Sequence, residues 1–210
     1  MSTPIVHVID DDEAIRDSIA LLLSTVSIAC RTYASASDFL ERYADAGSCC
    51  LVVDIRMPGM SGLELQDELK RRDIDAAIVF ITGHGEIDLA VRAMRNGAID
   101  FVQKPFRDQQ LLDSVNSALA LVEKIAQRED ATRALGERYA SLTPREREVM
   151  RLVAQGVANK NIAYELNVSQ RTVEIHRSRV MHKMHARTLA DLVRFDIELS
   201  KSAGDAIGQG

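Results

Sequence analysis

The sequence predicts a doubly wound α/β domain on a parallel five-stranded sheet, followed by a small all-α domain of four helices. Three observations lead there. Short apolar runs alternate with amphipathic segments through the first half, one long helical stretch follows at 107–140, and the remainder has helical segments with tight turns but no strand pattern. Strands apolar almost throughout and spaced by helices belong to a parallel sheet covered on both faces.

The strands read at 5–10 (IVHVID), 28–33 (IACRTY), 49–54 (CCLVVD), 77–82 (AIVFIT) and 99–103 (IDFVQ). Between them lie amphipathic segments near 12–25, 36–45, 61–72 and 86–96, and another starts near 108. Within the long helix, Leu112, Val115, Leu119, Val122 and Ala126 follow a 3-4-3-4 spacing that lapses through QREDATR. Two heptads suit a short dimerising seam or packing against the sheet. The last part opens with a capping box, Thr143 as N-cap, Pro144 at the first helical position and Glu146 three residues on. Helices then read near 144–155, 159–166, 170–185 and 188–199, broken by Gly156, the Asn167-Val168-Ser169 turn and Arg187-Thr188. The expected division is a first domain at 1–123, a helical linker at 124–140, a helical domain at 141–200 and a loose tail at 201–210.

Composition narrows the class. The 210 residues are 46% apolar and 27% charged, ordinary for a globular chain. No stretch approaches the roughly 20 apolar residues of a membrane helix, and MSTPIVHVIDDDE lacks a basic n-region. Three cysteines, Cys30, Cys49 and Cys50, form no CxxC and read as buried apolar side chains in a reducing compartment. A cytoplasmic location is expected. The net charge of −5 conceals a division: residues 1–125 balance at −8, residues 141–200 at +3. A polyanion is a natural partner for the second part.

Ligands of a parallel α/β sheet gather outside the carboxyl ends of its strands. Those ends carry Asp10-Asp11-Asp12, Asp54, Thr82 and Lys104. Crowded carboxylates repel one another, and an oxygen-ligated Mg²⁺ is the usual remedy. Lys104 adds a compact positive charge and Thr82 a donor for a phosphoryl oxygen. Asp54, alone on the central strand, is then the carboxylate free to attack phosphorus and form an acyl phosphate. A haloacid-dehalogenase-type phosphatase would use similar groups. Its nucleophile opens a DxDx(T/V) motif after the first strand, whereas DDDEA has Ala14 in fifth place and leaves Asp54 without a role.

The set VIDDDE, VVDIRMPGMSG, FITGHG and GAIDFVQKPF, in this order, resembles the receiver domain of two-component response regulators, a flavodoxin-like fold. The resemblance implies that Asp54 is the phosphoacceptor and that Asp10, Asp11 and Asp54, with the backbone carbonyl of Arg56, hold Mg²⁺. It implies that Thr82 and Lys104 contact the phosphoryl group, that Lys104-Pro105 is cis, and that Phe101 is the switch aromatic, a position often Tyr in the family. His84, in the loop GHGE, is read as solvated.

On a helical wheel of 170–185, Val173, His176, Val180 and Met184 share one sector and face the core. Arg171, Ile175, Ser178 and His182 lie opposite, Glu174 borders them, and Arg177, Arg179 and Lys183 flank the core sector. That suits a recognition helix in the major groove, with Arg and Lys on phosphates and the outward face on base edges. Ile175, apolar and opposite the core, suits a thymine methyl, and Glu174 a cytosine amine. His182-x-x-His185 could reach a metal, but no third ligand is evident nearby.

LTPREREVMRLVAQGVANKNIAYELNVSQRTVEIHRSRVMHKM resembles the LuxR/NarL-type helix-turn-helix, and the whole chain a FixJ-type regulator. The resemblance makes 160–166 the scaffold helix and adds Lys160 to the phosphate contacts. It implies a transcription factor, not a turnover enzyme, phosphorylated at Asp54 by a sensor histidine kinase. Dimerisation on phosphorylation, promoter DNA and RNA polymerase as partners, and no membrane association, follow as expectations. The alternative is a constitutive DNA-binding protein whose first domain is a dimerisation scaffold.

Overall fold

The computed structural model describes residues 5–43, 48–83 and 87–207. Five strands, β1 (Val6–Ile9), β2 (Cys30–Tyr33), β3 (Cys49–Asp54), β4 (Ala76–Thr82) and β5 (Asp100–Gln103), form one sheet in the order β2-β1-β3-β4-β5. All four pairings are parallel. Helices α1 (Glu13–Thr25), α2 (Ala36–Arg42), α3 (Gly62–Arg71), α4 (Ile87–Arg95) and α5 (Asp108–Ala140) alternate with the strands. The expected doubly wound sheet is what forms.

Side chains alternate across a strand, so the sheet feeds two cores. Ile9, Leu51, Val53 and Phe80 pack with Phe39, Leu65 and Leu69 from α2 and α3. Val8, Cys50, Val52 and Val79 pack with Ile19 and Leu23 of α1 and with Leu111, Val115, Ala118 and Val122 of α5. The seam on α5 thus serves the sheet as far as Val122, and Ala126 is exposed. Cys49 and Cys50 are buried, Cys30 is half-buried, and none of the three is in a disulfide. Burial foremost, and then Cys49 beside it, push the Cys50 thiol up to about 12.

The chain divides into two compact units at Gln127, inside α5. The second unit holds α6 (Pro144–Ala154), α7 (Asn159–Glu165), α8 (Gln170–Lys183) and α9 (Leu189–Ile207) around Val149, Met150, Ile162, Val173, Val180, Met184 and Leu192. The Thr143 capping box is present, with Pro144 in the first turn. One expectation is corrected. Residues 201–207, read as loose, continue α9, because SKSAGDAI lacks proline and its alanines favour helix. Among the described residues no helix is long and apolar enough to cross a membrane.

Candidate functional site

Parallel register brings the strand ends together. Asp10 follows β1, Asp54 ends β3 and Thr82 ends β4, all three buried, with Lys104 just past β5. Ligand oxygens of Asp10, Asp11 and Asp54 lie within 4.8 Å of one another, the one metal-capable cluster among the described residues. Lys104 Nζ donates to Asp10 Oδ2 at 2.8 Å and to Asp54 Oδ2 at 2.8 Å. Lys104 N–H also donates to the Thr82 carbonyl at 2.8 Å, and Lys104-Pro105 is cis. Three hard oxygen donors with one balancing cation fit Mg²⁺, which takes one or two carboxylates and keeps other positions for water and phosphoryl oxygen.

Asp54 is 8% exposed. Burial raises its carboxyl above the usual range, and the Lys104 ammonium pulls the other way. For Lys104, burial favours the neutral amine, but the two carboxylates together outweigh it and raise its pKa. The pocket therefore holds an ion pair under tension between desolvation and attraction. Asp12 supports the site from its backbone, its N–H donating to Asp10 Oδ1 at 2.9 Å, while its carboxylate caps α1 by accepting from Ala14 N–H at 2.9 Å.

Two supporting residues escaped sequence reasoning. Arg16 Nη1 donates to the Asp10 carbonyl at 2.7 Å, fixing the peptide that carries the first metal-capable acid. Gly62 opens α3 directly beneath Asp54. A Cβ there would stand 2.4 Å from the Asp54 carbonyl oxygen and 3.0 Å from Phe80 and Val53. A glycine straight after a Ser N-cap was the available signal, since that position otherwise takes almost any residue. Phe101 lies on β5 with 38% of its surface exposed, and the Arg56 N–H donates to Asp54 Oδ1 at 3.3 Å. His84 lies outside the described residues.

On the helical unit, Val173, Val180 and Met184 turn inward as expected, and His176 is half-buried beside them. Arg171, Glu174, Ser178, Arg179 and His182 are exposed, as is Ile175 at 46%. Lys160 is exposed on α7. Two of the residues expected to contact phosphates also bond within the fold. Lys183 turns inward, giving Glu146 Oε2 a 2.6 Å bond and the Ser141 carbonyl a 3.1 Å bond. Glu146 is only 2% exposed, and the charge it buries beneath the capping box draws the ammonium in. Arg177 Nη1 donates to Asn159 Oδ1 at 3.2 Å, tying α8 to α7.

A five-stranded receiver fold with a strand-end acid pocket, joined to a helix-turn-helix, defines a class, and comparison with known proteins gives the same one. The family model for the response regulator receiver domain matches residues 6–116, and that for bacterial regulatory proteins of the luxR family matches 140–195. The chain belongs to the response regulators that carry a LuxR-type DNA-binding domain. It is 46% identical to the transcriptional regulatory protein FixJ of Azorhizobium caulinodans over 90% of both chains. It is 45% identical to the C4-dicarboxylate transport transcriptional regulatory protein DctR of Rhodobacter capsulatus, covering 90% of this chain and 97% of that one. Among solved structures it resembles the response regulator StyR at TM-score 0.84 and 42% identity, covering 94% of this chain and all of that one. Full-length FixJ from B. japonicum follows at TM-score 0.58 and 39% identity, covering 96% and 99%. The chain is a phosphorylation-dependent transcriptional regulator of a two-component system. Its receiver implies a histidine-kinase partner, and its luxR-type domain implies DNA.

Proposed function

We propose that Asp54 is the phosphoacceptor and that its phosphorylation controls promoter binding by the 141–200 domain. A carboxylate oxygen of Asp54 attacks the phosphorus of a kinase phosphohistidine, the P–N bond breaks, the imidazole leaves and takes up a proton, and an acyl phosphate forms. Asp10, Asp11, Asp54 and the Arg56 carbonyl would hold Mg²⁺, which when bound neutralises charge on the phosphoryl oxygens. Lys104 stands within reach of a phosphoryl group on Asp54, exchanging its carboxylate bond for a phosphoryl one. Thr82 donates from its hydroxyl, and Phe101 follows it as the switch aromatic. The observation that carries this reading is the Lys104 ammonium shared between Asp10 and Asp54 at the tip of the central strand.

The phosphorylated chain pairs with a second copy and places two copies of α8 in successive major grooves. Lys160, Arg171 and Arg179 hold phosphates, with Arg177 and Lys183 buttressing them, while Glu174, Ile175, Ser178 and His182 meet base edges. The protein works in the cytoplasm beside RNA polymerase, and it is a stoichiometric switch, not a turnover enzyme. Intact mass after incubation with Mg²⁺ and acetyl phosphate tests the proposal. One phosphoryl adduct on wild type, absent in Asp54→Asn, is expected together with phosphate-stimulated duplex binding in wild type alone. Equal stimulation of the variant would sink the mechanism and favour the receiver as a scaffold.

A further inference from the structure

One buried polar group that the site does not use lies on α5. Ser114, 3% exposed in α5, donates its hydroxyl to Asp100 Oδ2 at 2.6 Å. A serine inside a helix ordinarily bonds back to the carbonyl one turn earlier, here Gln110 at 3.1 Å. One proton serves one acceptor well, and the carboxylate is both closer and charged. The other oxygen of Asp100 accepts the N–H of Phe101 at 2.8 Å. One carboxylate thus clamps the backbone of the exposed aromatic on one side and α5 on the other. β5 is an edge strand, with β4 its only neighbour in the sheet among the described residues. The clamp adds a second anchor to a strand that lacks one. On α5 the clamp is flanked by Leu111 and Val115, both fully buried, so the helix is firmly docked where the serine pulls on it. The helix then continues to Ala140.

We infer that Asp100 and Ser114 are positioning residues that couple Phe101 to α5. A change in the Phe101 backbone cannot occur without displacing the Asp100 carboxylate, and that carboxylate is bonded to the helix leading out of the receiver. The pair touches no phosphoryl group and holds no metal. This inference rests on the phosphoacceptor reading above, and it adds the route by which that site reaches the rest of the chain.

The test compares full-length wild type, Ser114→Ala and Ser114→Thr, each treated with Mg²⁺ and acetyl phosphate. Phosphoryl occupancy is read by intact mass. Affinity is read by fluorescence anisotropy on a duplex that wild type selects from a random pool. Ser114→Ala is expected to take up phosphate to the wild-type level while its phosphorylation-induced gain in affinity falls at least fivefold, within the usual range of coupling between sites. Ser114→Thr, which keeps the hydroxyl, restores the gain. A general loss of stability would instead lower affinity in both states and leave their ratio intact. A ratio within twofold of wild type in Ser114→Ala, or failure of that variant to accept phosphate, would overturn the coupling role. Absence of any adduct on wild type would overturn the phosphoacceptor reading itself.

Discussion

Asp54 carries its charge where burial resists it, and the sign of that cost can be measured. Its folded pKa is raised above the ordinary 3.8, chiefly by desolvation. A group raised on folding contributes stability below its unfolded pKa and loses it as pH climbs through the folded value. Without divalent cation, ionised Asp54 therefore weakens the receiver at neutral pH. Asp54→Asn, which cannot ionise and still offers Lys104 an oxygen, should melt above wild type at pH 7. The gap should close as pH falls toward 4, and Mg²⁺ should raise the wild-type melting temperature more than the variant's. A variant that melts lower at pH 7 would refute this account. Gly62 makes the complementary point. Its lack of a side chain admits the Asp54 carbonyl; the Ser-Gly step in SGLELQ marks the position but not the reason, because the neighbour that forbids a Cβ belongs to another element.

At the scale of elements, the joint between α6 and α8 decides how the reading helix is held. Lys183 pulls the Glu146 carboxyl below its usual 4.5 through their hydrogen bond, against a smaller opposing effect of burial. A depressed carboxyl contributes stability above its unfolded pKa and loses it as pH falls through the folded one. Lys183→Met leaves the buried Glu146 carboxylate its Thr143 N–H bond but no counter-ion. The expected loss is about 2 kcal/mol, below the 3–5 of a fully buried pair, because Lys183 keeps 33% of its side chain in water. Urea unfolding at pH 7 should show it, and the difference should shrink below pH 4.5. The same variant should keep the salt slope of duplex binding, whereas Lys160→Met should lower that slope by about one. Lys183 is legible in the sequence as a flanking cation and nothing more. Its partner lies 37 residues away and already had a role in the capping box. The strands and the acid pocket were easier, because a strand buried on both faces is apolar almost throughout and its polar tip stands out. The end of α9 was not legible, since polar residues with two alanines suit a frayed tail as well as a last turn.

For the molecule as a whole, three cores are fed by one chain, and the two in the receiver differ from the helical one in what they enclose. Charge divides the same way: the receiver is acidic and the helical unit mildly basic, so the field of the whole chain attracts a polyanion only weakly. The sheet's thiols add a different use. Cys49 and Cys50 are sealed between helices, and the thiolate that any alkylating reagent needs is suppressed at Cys50. Cys30 is half-buried with its pKa raised by burial, so it reacts slowly. A disulfide-exchange dye should therefore count one thiol in the native protein and three after denaturation; prompt reaction of two or more in the native state would contradict the burial described. The two silent cysteines make the central strand its own clock. The rate at which they become labelled measures how often the receiver opens, with no probe attached and no residue changed.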